Sequence, residues 1–209
     1  VLCLIQSDTL AQLVSLKNAS KNGSSGVFSL GIGSSVSIFS DHENNIYTGT
    51  GLRGQMRIQL WDNINSEWFG DYALTNVQSK ALRIDGHGGF SVMPYFIGNE
   101  NSLFRPYPVA GFCIDYSKLI KTGIYRDKSE QPNALERYSF AAQIGLGTHI
   151  QITDRVDLSV IAHYMFHLGN DIHIHIEDDD VHFETIKGAS LEGHLIFSAT
   201  VNIKLVDLW

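Results

Sequence analysis

Nine histidines are spread through the 209 residues, and histidine is the side chain best suited to proton transfer near neutral pH. A histidine base beside a serine and a carboxylate activates a nucleophile. His87, His149, His163, His167 and His194 are the candidates for such a site. None sits in a compact local pattern, and His163-Tyr164-Met165 lacks a neighbouring serine arrangement. Interior hydrogen bonding is therefore the plainer role, and no residue is assigned to catalysis.

A second cluster is local. The stretch His173-Ile174-His175-Ile176-Glu177-Asp178-Asp179-Asp180-Val181-His182-Phe183-Glu184 places two histidines on one face of an extended strand. Together with Glu177 or His182 they have the donor types of a transition-metal site, and the acidic triplet suits calcium. The same residues also read as an ordinary hairpin extending outward, with alternating isoleucines and a charged tip. No cofactor is expected: Gly31-Ile32-Gly33 and Gly145-Leu146-Gly147 lie within strands with no helix to follow, so they are not nucleotide loops.

A third set is ionic and dispersed: Arg53, Arg57, Arg83, Asp85, Asp115, Asp157, Glu192 and Lys204. Its meaning depends on which face of which element carries it. From Val27 onward, apolar residues recur at every second position, as in strands with one apolar face. Phe28, Leu30, Ile32, Val36 and Ile38 open the series, and Leu52, Met56, Ile58 and Leu60 continue it. A weaker run follows at Trp68, Gly70, Tyr72 and Leu74, then Leu82, Ile84, Phe90 and Val92, then Ala110, Phe112, Ile114 and Tyr116. The last three are Phe140 to Ile152, Val156 to Leu168 and Leu191 to Leu205. Eight strands result, and all eight ionic residues and all five dispersed histidines share the polar parity.

The composition is 44% hydrophobic, 11% aromatic and 18% charged, too apolar for disorder. The formal charge of −7 lacks the basic balance that a nucleic-acid partner requires. Apolar runs reach only about five residues, far short of a transmembrane helix. Cys3 and Cys113 have neither a metal spacing nor a disulfide framework and read as free thiols. Residues 1–26 form an N-terminal segment open to two readings, a signal-peptide remnant cleaved before Gln12 or an ordinary extension, and 27–209 form one domain.

Which parity faces inward separates a soluble barrel from a membrane barrel. A soluble barrel carries lysine and glutamate on its outward parity. Here the polar parity is mostly Gly, Ser, Gln and His, while the apolar parity is almost free of charge over lengths that cross a bilayer. Aromatic residues near strand ends, at Phe39, Tyr47, Trp61, Trp68, Tyr95, Phe96, Tyr107, Tyr138 and Trp209, suit interfacial girdles. With an even strand count, connections at 62–66, 97–104 and 153–155 are the short periplasmic set. Those at 40–47, 76–80, 118–136 and 169–188 are external, and the brevity of 76–80 is the exception. Phe140, Leu158, Phe197 and Val201 should then be exposed, and Arg57, Asp85 and His163 buried.

With these features the chain resembles the small eight-stranded outer-membrane β-barrels of the OmpA/OmpX type, in the form common among Bacteroidota. The resemblance covers Val27 to Trp209. It implies an all-β, antiparallel, up-and-down transmembrane barrel in the outer membrane of a Gram-negative bacterium, in contact with outer-membrane lipid. Val201, Ile203, Leu205 and Trp209 look like the C-terminal signal read by the barrel-insertion machinery, with Asp207 departing from it. Some barrels of this size modify lipid A, and that enzyme class is one alternative. A soluble barrel for an apolar ligand is another. The favoured reading is a non-enzymatic component acting through its external loops or within a larger membrane assembly. Eight strands leave room only for side chains, so Arg53, Arg57 and Arg83 are expected to neutralise Asp85, Asp115 and Glu192 in a sealed plug. A gated or substrate-sensing interior is the competing idea.

Overall fold

The computed structural model describes residues 25–40, 45–96, 102–122, 132–177, 180–186 and 193–209. Cys3, Glu192 and nearly all of the N-terminal segment, including its proposed cleavage point, lie outside these residues. The strands are β1 (Val27–Ser40), β2 (Ile46–Trp61), β3 (Ile64–Val77), β4 (Ala81–Pro94), β5 (Phe104–Lys121) and β6 (Ala134–Gln151). They continue with β7 (Val156–His167), β8 (Asp171–Glu177), β9 (Asp180–Ile186) and β10 (Gly193–Asp207).

Eight of them close into an antiparallel barrel in which each strand pairs with its neighbours in the chain and β10 returns to β1. The barrel strands are 12 to 18 residues long; at ~3.3 Å per residue and a tilt of ~40° they rise ~30–45 Å, enough for the ~25 Å apolar band of a membrane barrel. Alternation decides the faces. Phe140 is 68% exposed and Ile144 61%, while Arg57, Asp85 and His163 are buried. The aliphatic parity therefore faces outward, which excludes a soluble barrel enclosing an apolar ligand. Leu158 is only half-buried, because Ile150 and Val201 flank it on the two paired strands.

Several expectations change. Four aromatic residues assigned to girdles face inward, as their parity with the interior charges requires: Tyr47, Tyr95 and Tyr107 are buried, and the half-buried Phe39 packs beside Tyr47 and stacks on His194, whereas Trp61, Phe96, Tyr138 and Trp209 are exposed. Gly147 pairs with Tyr107, and a Cβ there would come within 2.6 Å of the tyrosine ring, so glycine makes room for an inward aromatic. The turn expected at 62–66 shrinks to Asp62-Asn63, with Ile64 to Ser66 already in β3. The short connection at 76–80 is explained by a tight turn: Gln78 and Ser79 have φ of 50° and 60°, and the Lys80 amide donates to the Val77 carbonyl at 3.0 Å. That is the type I′ geometry matching the twist of a hairpin.

The region 118–136 is not all loop. β5 and β6 run well into it and pair Lys118 with Glu136. In the region 169–188, β8 and β9 form a separate two-stranded sheet rather than an extension of the barrel wall. Ile172 and Val181 are buried there, and Ile174 and Phe183 pack against Tyr47, Val77 and Ala81. The hairpin thus lies across the long-loop end of the barrel, because its apolar side chains have an apolar cluster to cover.

Candidate functional site: the charged barrel interior

The inward parity of eight strands converges on a narrow lumen, where each ion must find a partner or cost several kcal/mol. At the short-turn end, Arg57 from β2 donates to Asp157 from β7 at 2.6 Å and to Ser159 at 2.9 Å. Asn202 from β10 donates to the other oxygen of Asp157 at 2.9 Å and accepts from Gln55 at 2.6 Å. One turn of side chains further up, Arg53 binds Glu67 and Asp71 of β3, the latter at 2.7 Å, with its guanidinium 4.3 Å from the centre of the Phe69 ring. An apolar layer of Phe69, Cys113, Ala141, Met165 and Ile196 comes next, and Cys113 is a free, buried thiol.

Toward the long-loop end the network is richer. Asp115 accepts from Arg137 at 2.7 Å and has His167 at 2.9 Å and His87 at 3.3 Å. Arg83 donates to Asp85 at 2.9 Å, Ser117 donates to Asp85 at 2.7 Å, and Arg83 lies 3.1 Å from the His194 ring nitrogen. His194 stacks on Phe39 with ring centres 5.0 Å apart. His149 is at the opposite end, 2.7 Å from the Tyr95 hydroxyl. His163 is buried, and neither of its ring nitrogens has a hydrogen-bond partner among the described residues.

The pairing differs from the expected one. Arg57 neutralises Asp157, Arg53 neutralises Glu67 and Asp71, and Asp115 belongs to Arg137. Only Arg83 meets a carboxylate from the expected set, its own strand neighbour Asp85. Lys204 is half-buried and makes no side-chain hydrogen bond or ion pair among the described residues. Glu192 and its proposed partnership lie outside those residues. Glu67 and Arg137 were missed because each falls next to a boundary that the alternation drew too late: β3 begins before Trp68, and β6 before Ser139. Asp71 was already on the inward parity.

For the proposed metal cluster, β8 and β9 place His175 opposite His182 and His173 opposite Glu184. The side chains of His173, His175 and Glu177 lie outside the described set, and no group of three metal-ligating side chains occurs among the described residues. For a hydrolase, the histidine–carboxylate pairs do exist at Asp115. Ser117, the hydroxyl in that layer, is turned to Asp85 and receives Arg137 at 3.2 Å instead of meeting a histidine nitrogen.

No protein-family model matches the chain, and no curated protein matches it. Solved structures do. Neisserial surface protein A superposes with a TM-score of 0.62 at 15% identity, over 88% of this chain and 99% of that one. The outer membrane protein OprG from Pseudomonas aeruginosa gives 0.58 at 13% identity, over 88% and 98%. A major outer membrane protein from Thermus thermophilus gives 0.53 at 6% identity, over 83% and 98%. The fold is that of the small eight-stranded outer-membrane β-barrels.

Proposed function

We propose that the protein is a sealed, non-enzymatic barrel of a Gram-negative outer membrane that works through its external face, as a contact surface for a partner or as a subunit of a membrane assembly. The observation carrying this reading is the interior. Arg53, Arg57, Arg83 and Arg137 are each tied to a carboxylate within the lumen, leaving side chains where a pore would need water. The groups with catalytic potential are enclosed in the same network, and the β8–β9 hairpin covers the end above them. Among the described residues, the surfaces broad enough for a macromolecular partner are the outer rim and the apolar belt. Leu205, Ile203 and Val201 point outward on the last barrel strand, with Trp209 exposed beyond it, which supports their role as the segment recognised by the insertion machinery.

Native-membrane purification in a mild detergent, with crosslinking, tests the proposal. Stoichiometric co-purifying subunits or a specific crosslinked partner support it. Altered lipid A in a deletion strain, restored by the wild-type gene and lost again with an Asp115→Asn variant, would instead establish a lipid-modifying enzyme.

A further inference from the structure

The short-turn end of the barrel encloses a cavity of about 50 Å³, bordered by Arg57, Tyr95, Arg105, His149, Asp157 and Lys204 among others. One ordered water needs only ~10–15 Å³ measured this way, so there is space for a larger guest. The charge of the lining is unbalanced. Three cations, Arg57, Arg105 and Lys204, face one carboxylate, Asp157, which Arg57 and Asn202 already engage. Asp154, the other acid acting on Lys204, is exposed on the β6–β7 turn beside Arg155.

The hydrogen-bonding inventory points the same way. The half-buried Lys204 ammonium makes no hydrogen bond or ion pair with a described residue, and the buried Nε of Arg105 has no partner among them, although its Nη2 donates to the Asp62 carbonyl at 3.2 Å. Asn65 donates to the Tyr95 hydroxyl at 3.0 Å, which leaves that hydroxyl to donate to His149 Nδ1 at 2.7 Å. The proton of a neutral His149 must then sit on Nε2, a nitrogen that is buried and unpartnered. Arg105 of β5, His149 of β6 and Lys204 of β10 thus bring N–H donors to one recess with surplus positive charge, and the unpartnered Asn65 Oδ1 in the same lining is a neutral amide oxygen that offsets none of that charge. Arg105 Nε and His149 Nε2 are buried and costly to leave unsatisfied, and with the adjoining Lys204 ammonium they suit an anion with several acceptor oxygens.

We propose that this cavity binds a small oxyanion of the phosphate class, held by Lys204, Arg105 and His149 with Arg57 supplying field. Such an anion reaches the site either free in solution or as the headgroup of a lipid in the adjoining leaflet.

Equilibrium dialysis of the full chain, folded in a zwitterionic detergent, with radiolabelled inorganic phosphate at constant ionic strength reads the site directly. The expected result is saturable binding of one phosphate per chain, competed by sulfate and weakened at least tenfold in Lys204→Met and in Arg105→Gln. Lys118→Met, at the other end of the barrel, should leave it unchanged, and Lys204→Arg should retain it. Retention of the folded, heat-modifiable gel band shows that each variant still closes the barrel. Absence of saturable binding to the folded wild type, or equal binding by wild type and both site variants, would overturn the proposal. Competition by glycerol phosphate or a short-chain phosphatidic acid at lower concentration than inorganic phosphate identifies the lipid headgroup as the source, and the reverse order identifies the free anion.

Discussion

Replacing Arg53 by methionine should be among the most damaging single changes in the barrel. The Arg53 side chain is 1% exposed and is the cation shared by Glu67 and Asp71, whose remaining carboxylate oxygens already lack partners. Methionine fills much of the stem volume, so the loss is chiefly electrostatic. Breaking a buried pair by removing one partner costs ~3–5 kcal/mol, and here two carboxylates on one face of β3 are left facing each other, so the upper end of that range applies. Replacing all three members by neutral near-isosteres, as Arg53→Met/Glu67→Gln/Asp71→Asn, removes the stranded charge and should recover most of the loss. Equilibrium unfolding in urea from phospholipid vesicles, followed by tryptophan fluorescence, measures both variants. A single variant destabilised by less than about 1 kcal/mol, or a triple variant no more stable than the single one, would show that the interior is solvated well enough to need no pairing.

Three further outcomes are expected. Ile144→Arg, on the middle of the outward face of β6, should cost ~2–4 kcal/mol in vesicles, and Tyr138→Arg near the strand end ~0–1 kcal/mol; equal costs in unfolding titrations would count against the membrane placement. Ser79→Gly should stabilise the barrel by roughly 1 kcal/mol, because Ser79 holds a left-handed backbone that glycine adopts freely; a lowered urea midpoint would contradict the turn geometry. In a Cys3→Ser chain, Cys113 should react with a water-soluble maleimide far more slowly in the folded barrel than in urea, since its thiol lies in the buried layer with Met165, 3.6 Å away.

The face assignment was legible because membrane-barrel strands alternate without interruption: Phe140, Ala142, Ile144 and Leu146 need no tertiary information to be placed together. Ionic partners were harder to read. Arg57 and Asp157 lie on β2 and β7, which are not neighbours in the sheet, so their meeting across the lumen depends on the stagger of the whole barrel. Local polarity also misled at strand ends. Asn65 and Ser66 look like turn residues, but both are buried, with Asn65 bonded to the inward Tyr95 hydroxyl and Ser66 to the Ile58 carbonyl; Lys118 and Glu136 look like loop, but they pair on strands that continue past the bilayer, where outward polar residues are tolerated. The hairpin across the long-loop end was visible as alternation, whereas its packing on Tyr47 of β2 and the paired Val77 and Ala81 at the β3–β4 turn was not, since both places are far from it in sequence.

The central claim is that the aliphatic parity meets lipid and the polar parity fills a closed interior. Single cysteines placed one at a time at positions 140 to 146 of β6, in a Cys3→Ser/Cys113→Ser chain reconstituted in vesicles, carry a nitroxide to each position in turn. Collision rates with oxygen and with a water-soluble nickel chelate then report the surroundings by electron paramagnetic resonance. Labels at Phe140, Ala142, Ile144 and Leu146 should collide strongly with oxygen and weakly with nickel, and labels at Ala141, Gln143 and Gly145 should be shielded from both. High nickel accessibility at Ala141, Gln143 and Gly145 would reveal a water-filled lumen, and the inverse oxygen pattern would place the aliphatic face inside; either result contradicts the account.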